Sequence, residues 1–382
     1  MEPRRVRLER LVGEGFRNLA PFDLDLDAPF VVLHGANAQG KTNVLEAVWY
    51  LTSLKALRTP RTRELVQWGG ESLQLAGWTR SGGITRHRRL AFGGQGTGSA
   101  RQVWLDGKRC TDLAEYFADV RAICFEPADG AIVSEGPDLR RRWVDRAAFT
   151  ARPAHLQVVR SYTRALQNKS AVLRGDGRSG RVSVDHAVLD AIDTQLALLG
   201  ARLAARRAAL LAELSPWVDA MYRTLADADG HVRLELRTTA RGDTETERAE
   251  ALMEVFARAR ETEIRRRRTL AGPQTDEVAI RLGDRPARRY ASRGQVRSLV
   301  LALKLAELKA ARERGAVPLF LLDDLSSELD RVRTRRLVAL LADLGAQVIA
   351  TTTDPGHVDS LPAQDTLRLE VRAGEIRRQA PE

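Results

Sequence analysis

The chain has 382 residues, 43% of them hydrophobic, enough for a sizeable core in two domains or in one large domain with an insertion. Two cysteines, Cys110 and Cys124, exclude a disulfide framework, and no run of about 18 apolar residues is present to cross a membrane. The formal charge is +11, from 61 Lys and Arg against 50 Asp and Glu; it favours a polyanionic partner, although an Arg-rich chain from a GC-rich genome has the same balance.

The opening MEPRRVRLER lacks the apolar run of a signal peptide, so a cytoplasmic location is expected. Val6 and Leu8, then Leu24 and Leu26, alternate with charged residues and predict half-buried strands. Phe30-Val31-Val32-Leu33 reads as a short buried strand. It runs into Gly35-Ala36-Asn37-Ala38-Gln39-Gly40-Lys41-Thr42, a G-x-x-x-x-G-K-[ST] loop. Val44, Leu45, Val48 and Leu51 then recur at helical spacing. Strand, glycine loop and helix together make a phosphate site: backbone N–H groups curl round the oxygens and the helix N-terminus adds partial positive charge. Gly35, Asn37, Ala38, Gln39, Gly40, Lys41, Thr42 and Asn43 are the expected nucleotide-binding residues. Lys41 is expected to reach the β- and γ-phosphates, and Thr42 to offer its hydroxyl to Mg²⁺.

Lys55, Arg58, Arg61 and Arg63 follow in a basic, turn-like stretch that is a candidate for DNA backbone contact. Arg140 to Arg142 and Arg265 to Arg268 are alternatives, and each run reads equally as a solvated face. Basic residues interleaved with aromatics are missing, so no platform for stacking single strands is indicated. Leu73 with Leu75, and Val103 to Leu105, look like half-buried strands, the latter closed by an Asp106-Gly107 turn.

From about 140 to 268 the chain turns to Arg/Ala/Leu-rich helix. Leu156, Val159, Tyr162, Leu166 and Leu173 share a face, and residues 175–180 form a turn. Leu189, Ile192, Leu196, Leu199 and Leu203 step by three and four, a coiled-coil-like seam that Arg206 interrupts, predicting a short antiparallel arm. Val232, Leu234 and Leu236 suggest a small strand.

From about 270 α/β character returns, with a strand at Val278, Ile280 and Leu282 and a helix from about 293 to 313. Leu319 to Leu322, a helix from about 331 to 344 and Val348 to Ala350 form a β-α-β unit with parallel, buried strands. The apolar run ends in Asp323-Asp324, the Walker B form. Asp323 is expected to hold Mg²⁺, and Asp324 to orient or deprotonate the attacking water, with Lys41 the second catalytic candidate. Ser292-Arg293-Gly294-Gln295 opens the long helix; it reads as a capping box or as an anion clamp whose glycine admits a phosphate.

Ser-x-Gly-Gln, then Walker B, then Ser327-Glu328-Leu329-Asp330 resembles the head of ABC-type ATPases of the SMC/Rad50 group. Within that group the chain resembles the RecF family, on the P-loop with Phe16-Arg17-Asn18 before it, the stretch from Leu301 to Glu307, and Leu321 to Asp330. The resemblance implies an α/β ABC-type P-loop head, a mixed sheet with flanking helices, carrying an inserted helical lobe. The expected partition is 1–135 and 269–382 for the head and 136–268 for the lobe. It also implies ATP-driven homodimerisation, with Ser292, Gly294 and Gln295 of one subunit meeting the γ-phosphate held by the other, and Asp330 at the same interface. Weak ATP hydrolysis, recognition of gapped or single-strand/double-strand DNA, and RecO and RecR as partners in loading recombinase belong to the same expectation.

The chain departs from the family where Gly-Pro-His-Arg-Asp is usual, since it has Gly272-Pro273-Gln274-Thr275-Asp276. A γ-phosphate-sensing His is also absent from Thr351-Thr352-Thr353-Asp354; Thr352 or Thr353 is the expected substitute, and His357 reads as a surface residue. A glutamine loop is not placed, and Asp129 has no assigned role. The competing readings are a monomeric, kinase-like P-loop enzyme, a transporter ATPase subunit and a nuclease. The kinase-like enzyme leaves Ser292, Gly294 and Asp330 unexplained, and a nuclease lacks a second carboxylate cluster.

Overall fold

The computed structural model describes residues 3–59, 61–94, 101–175, 185–226, 230–354, 356, 361 and 363–379. Of the sequence expectations, His357 and most of the 175–180 turn lie outside these residues. The chain divides into two compact units. The first comprises Met1–Gly130, Met221–Ala228 and Arg297–Glu382; the second, Ala131–Ala220 and Asp229–Val296.

The first unit contains two sheets whose burial patterns follow their surroundings. In one, Phe30–His34 lies between Val348–Thr352 and Thr366–Arg372; Leu319–Leu322 and Ala122–Phe125 continue it, all parallel. Leu319–Leu322, Val348–Thr352 and Ala122–Phe125 are buried at every residue, as strands covered on both faces require. Glu375–Arg378 closes the edge as an antiparallel hairpin. The second sheet is largely antiparallel, and its Ser72–Ser81 strand alternates in burial along its whole length, the period-2 sign of one covered face. Gln347, 2% exposed, links the two: its amide donates to the carbonyls of Leu26 (2.8 Å) and Ala28 (3.0 Å) and accepts from Leu8 N (2.7 Å). A buried amide with these partners is satisfied, and an apolar residue there would orphan Leu8 N.

The second unit is built on the helices Pro137–Ala151, His155–Arg174 and Glu245–Arg266, with most of His186–Ala226. Val158, Tyr162, Ala165, Leu196, Leu203, Leu252 and Phe256 meet in its core. The buried line of His155–Arg174 thus runs through Val158, Tyr162, Ala165 and Leu173; Leu156, Val159 and Leu166 flank it half-buried. Val232–Arg237 pairs antiparallel with Glu277–Leu282, and the latter with Arg285–Pro286, as a small sheet.

One expectation fails here. Arg206 does not end the coiled-coil-like seam: the helix runs unbroken for 41 residues and carries Pro216 inside it. Arg206 is half-buried and donates to Ala154 O (3.3 Å). The next residue, Arg207, 4% exposed, donates to both Asp145 oxygens (2.9 and 2.7 Å) and to Asp276 (3.0 Å), so the helix continues past Arg206 with a second charge that is buried and paired. Burial pushes the Asp145 carboxyl up, but hydrogen bonds from Arg207 and His155 outweigh it and hold the group below its ordinary range. For Asp276 burial wins and the carboxyl rises, with a hydrogen bond from Thr238 and the charge of Arg207 only partly compensating.

Candidate nucleotide site

The P-loop follows directly from the Phe30–His34 strand and leads into the helix Lys41–Ser53. Val44, Leu45, Val48 and Leu51 are all buried, so the apolar stripe seats that helix and fixes where its N-terminus points. The loop backbone takes φ values that L-residues avoid: +143° at Gly35, +61° at Ala38 and +114° at Gly40. A Cβ on Gly35 would stand 2.4 Å from Val371 O, so glycine is required there by conformation and by space.

The C-terminal hairpin braces the loop from behind, which sequence periodicity could not reveal. Ala373 N donates to Gln39 Oε1 (2.7 Å) and Gly374 N to Gln39 O (2.9 Å). Gln39 Nε2 donates to Asn37 O (3.2 Å). Asn37 and Ala38 are exposed on the loop, while Gly40 is buried beneath it.

Lys41, only 7% exposed, donates through Nζ to the carbonyls of Gly35 and Ala36, both at 2.8 Å. Burial lowers its ammonium pKa, and the charges of Asp324 and Asp323 offset this in part. Thr42 Oγ1 donates to Asp323 Oδ1 at 2.8 Å across 281 residues of sequence. P-loop hydroxyl and Walker B carboxylate therefore meet. Both are hard oxygen donors, and the pair fits a Mg²⁺ ion.

Asp323 has a second partner that sequence reasoning missed. Thr351 Oγ1 donates to Asp323 Oδ1 (2.7 Å) and accepts from Asp324 N (2.8 Å). Thr352, fully buried, instead bonds Asp354 O (3.0 Å), and Thr353 pairs with Ser326 Oγ (2.9 Å). The residue of the triple threonine that touches the Walker B acids is thus Thr351. Strand register could have found it: Leu322 pairs with Ala350, which puts Thr351 beside Asp323. Asp324 adopts a left-handed backbone, φ +53°, at the position just before the short helix Leu325–Glu328. A non-glycine residue in that region stores local strain, which is common where geometry serves a site.

A polar cluster extends from the P-loop helix. Asn43 Nδ2 donates to Asn18 Oδ1 (2.6 Å). Glu46, fully buried, accepts from Arg17 Nε (2.9 Å) and Arg58 Nη2 (3.1 Å). Burial raises the Glu46 carboxyl, but Arg17 and then Arg58 more than offset this and hold it below its ordinary range. Arg58, a DNA candidate, is exposed but already engaged on Glu46 and Asn43. Arg63 donates to Glu71 O (2.9 Å) and Gly70 O (3.2 Å). Lys55 is exposed, and Arg61 is 80% exposed with Glu64 3.8 Å away. Among the alternatives, Arg140 is buried on Glu277 (2.7 Å) and unavailable to a phosphate, whereas residues 265–268 are exposed. Asp129 pairs with Lys304 at 3.0 Å, and Lys304 also bonds Cys124 O.

The Ser292-Arg293-Gly294-Gln295 segment lies in the second unit. Ser292 N donates to Gln295 Oε1 (2.8 Å) and Gln295 N to Ser292 Oγ (3.3 Å), a complete capping box at the head of Arg293–Glu313. Ser292 is exposed and Gly294 half-buried. Asp330 is exposed and caps Arg331–Leu344 through Arg333 N (2.8 Å). The departure at Gln274 is absorbed structurally, since it accepts from the Tyr162 hydroxyl and donates to Ala271 O (2.6 Å).

The family model "RecF/RecN/SMC N terminal domain" matches residues 7–375. The chain is 41% identical to the DNA replication and repair protein RecF of Myxococcus xanthus (strain DK1622) over 377 residues, 97% of each chain. It is 39% identical to the protein of the same name from Geobacter metallireducens (strain ATCC 53774 / DSM 7210 / GS-15), covering 89% of this chain and 90% of that one. A solved structure of the recombination mediator protein RecF-ATP in the RecFOR pathway superposes with a TM-score of 0.87 at 24% identity, over 98% of this chain and 100% of that chain. An Smc head bound to the C-winged helix domain of ScpA superposes at 0.56 and 15% identity, over 98% of each, so the fold is that of these ATPase heads.

Proposed function

Because this chain belongs to the RecF family of DNA replication and repair proteins, we propose that it is an ATP-operated DNA-binding switch of recombinational and replication-gap repair. The observation that carries the reading is the Thr42–Asp323 contact: a P-loop and a Walker B acid at the same end of one sheet, on parallel strands with Val348–Thr352 between them. ATP would lie along the P-loop amides, with Lys41 on its β- and γ-phosphates. Thr42 and Asp323 would hold Mg²⁺, which supplies charge neutralisation at the phosphates when bound. Asp324, placed by its own strained backbone and by Thr351, would orient the water for a slow hydrolysis.

The second half of the site is proposed to come from another copy of the chain. Ser292 and Gly294 present an exposed, already capped helix start, suited to an anion, and Asp330 would flank it. Two copies bound around ATP would make nucleotide the glue of a homodimer, and hydrolysis its release. Residues 136–268 are proposed to be a helical lobe inserted in the ATPase head. Gapped or single-strand/double-strand DNA, and RecO and RecR, are the partners this reading adopts from the family, in a cytoplasmic setting. No helix of the described residues is long and apolar enough to cross a membrane.

The test is mass by light scattering with and without ATP. Wild type should double in mass on adding ATP, and Ser292→Arg should bind ATP yet stay monomeric. A wild type that binds ATP without changing mass would refute the shared site.

A further inference from the structure

Trp68 is 101% exposed; of the six tryptophans it is the one whose ring stands wholly in solvent, since Trp49 and Trp143 are buried and Trp78, Trp104 and Trp217 half-buried. An indole fully in water costs hydrophobic free energy, and single exposed apolar residues are common enough to need no explanation by themselves. Trp68 differs in being held out on a rigid mount. Gly70 N donates to Gln67 O (2.8 Å), closing a turn with Trp68 and Gly69 at its tip, and Gly69 has φ +78°. The turn is tied down at both ends: Gln67 N donates to Gly15 O (2.8 Å), and Arg63 donates to the carbonyls of Gly70 and Glu71. Leu65 and Val66, just before it, are buried.

The mount is also basic. The approach to the turn carries Lys55, Arg58, Arg61 and Arg63 against Glu64 and Glu71. Glu64 is engaged by Thr59 and faces Arg61, whose side chain is 80% exposed. A rigid, exposed aromatic face with the exposed Arg61 on the chain leading to it is complementary to a nucleic-acid strand: the π-face takes a base, the cation its phosphate. Duplex interiors offer no free base face, so the complementary element is an unpaired base next to a duplex.

We propose that Trp68 stacks on an unpaired base where single-stranded DNA meets duplex, with Arg61 on the adjoining phosphate. The proposal rests on the DNA-binding reading above and adds the structural element by which a junction would be told from plain duplex. Trp68 stacking is sequence-tolerant, because every base has a π-face.

The experiment measures anisotropy of two labelled DNAs: a duplex closed at both ends by hairpin loops of non-nucleotide linker, and the same duplex with a single-stranded tail. Wild type should prefer the tailed DNA, with its indole fluorescence quenched. Trp68→Ala should lose about tenfold on the tailed DNA and nothing on the closed duplex, while Trp68→Phe should recover most of the loss. An unchanged thermal unfolding midpoint shows that the variant folds, as expected for a fully exposed side chain. Equal affinities of Trp68→Ala and wild type for the tailed DNA would overturn the proposal and leave the indole to a protein partner. Failure of wild type to bind either DNA would instead sink the DNA-binding reading itself.

Discussion

Replacing Thr351 with Val isolates what one hydroxyl does for the Walker B acids. The substitution keeps the branched shape, so no cavity opens, but the hydroxyl that bridges Asp323 and Asp324 N is lost. Asp323 is 7% exposed and Thr351 1%, so water does not replace it freely. A hydrogen bond to a charged group is worth about 1.5–3 kcal/mol, and an orphaned buried N–H costs about 1–3 kcal/mol. The two losses share one atom and are not additive, so about 2–3 kcal/mol is expected without nucleotide. Because Thr42 also bonds Asp323, its carboxylate keeps one anchor and the site should still bind ATP, while hydrolysis falls about tenfold or more as Asp323 and Asp324 lose their common brace. Urea unfolding followed by the fluorescence of Trp49, buried in the P-loop helix of this unit, reads the first quantity, and steady-state turnover against ATP reads the second. A Thr351→Val protein within about 0.5 kcal/mol of wild type, with undiminished turnover, would refute the reasoning, whereas Thr353→Val should be nearly silent.

Three further outcomes follow from the same geometry. Lys41→Met should abolish tight ATP binding yet leave the nucleotide-free protein no less stable, because burial already disfavours the ammonium; calorimetric titration and thermal unfolding check both. Glu46→Gln should cost about 2 kcal/mol at neutral pH, and the cost should vanish in acid. Its folded pKa is depressed, so its stabilisation is present above the ordinary glutamate value of about 4.3 and is lost as pH falls through the folded value. Equal pH profiles for wild type and variant would contradict this. Arg207→Met should destabilise the second unit by about 3–5 kcal/mol, since Asp145 and Asp276 would lose their buried cation, and limited proteolysis within residues 131–220 reads it.

Much of the fold is legible in the chain because its patterns are local. Three apolar runs, Phe30 to Leu33, Leu319 to Leu322 and Val348 to Ala350, announce buried strands, and the glycine loop between strand and helix announces the phosphate site, whereas Ala122–Phe125 emerges as a strand only in the structure. The Thr42–Asp323 pairing is inferable from motif chemistry alone, although 281 residues separate the two. What the sequence hid depends on long-range partners. Arg206 reads as the break in an apolar seam, and nothing local shows that Arg207 beside it is buried on Asp145 and Asp276. Thr351, Thr352 and Thr353 are indistinguishable as letters; register against Leu319–Leu322 decides which one faces Asp323. Arg58 reads as a free cation until Glu46, invisible as a partner on its apolar helix, is seen to hold it. Trp68 stands outside any basic-aromatic motif, and its exposure comes from the turn that presents it.

The central claim is a composite ATP site assembled between two copies of this chain and coupled to DNA. The most direct test is the ATPase rate per molecule measured against protein concentration, with and without duplex DNA. The account predicts a rate per molecule that climbs with concentration and rises further with DNA. A rate that is flat in concentration and indifferent to DNA would mean that each chain is catalytically self-sufficient, and would contradict it.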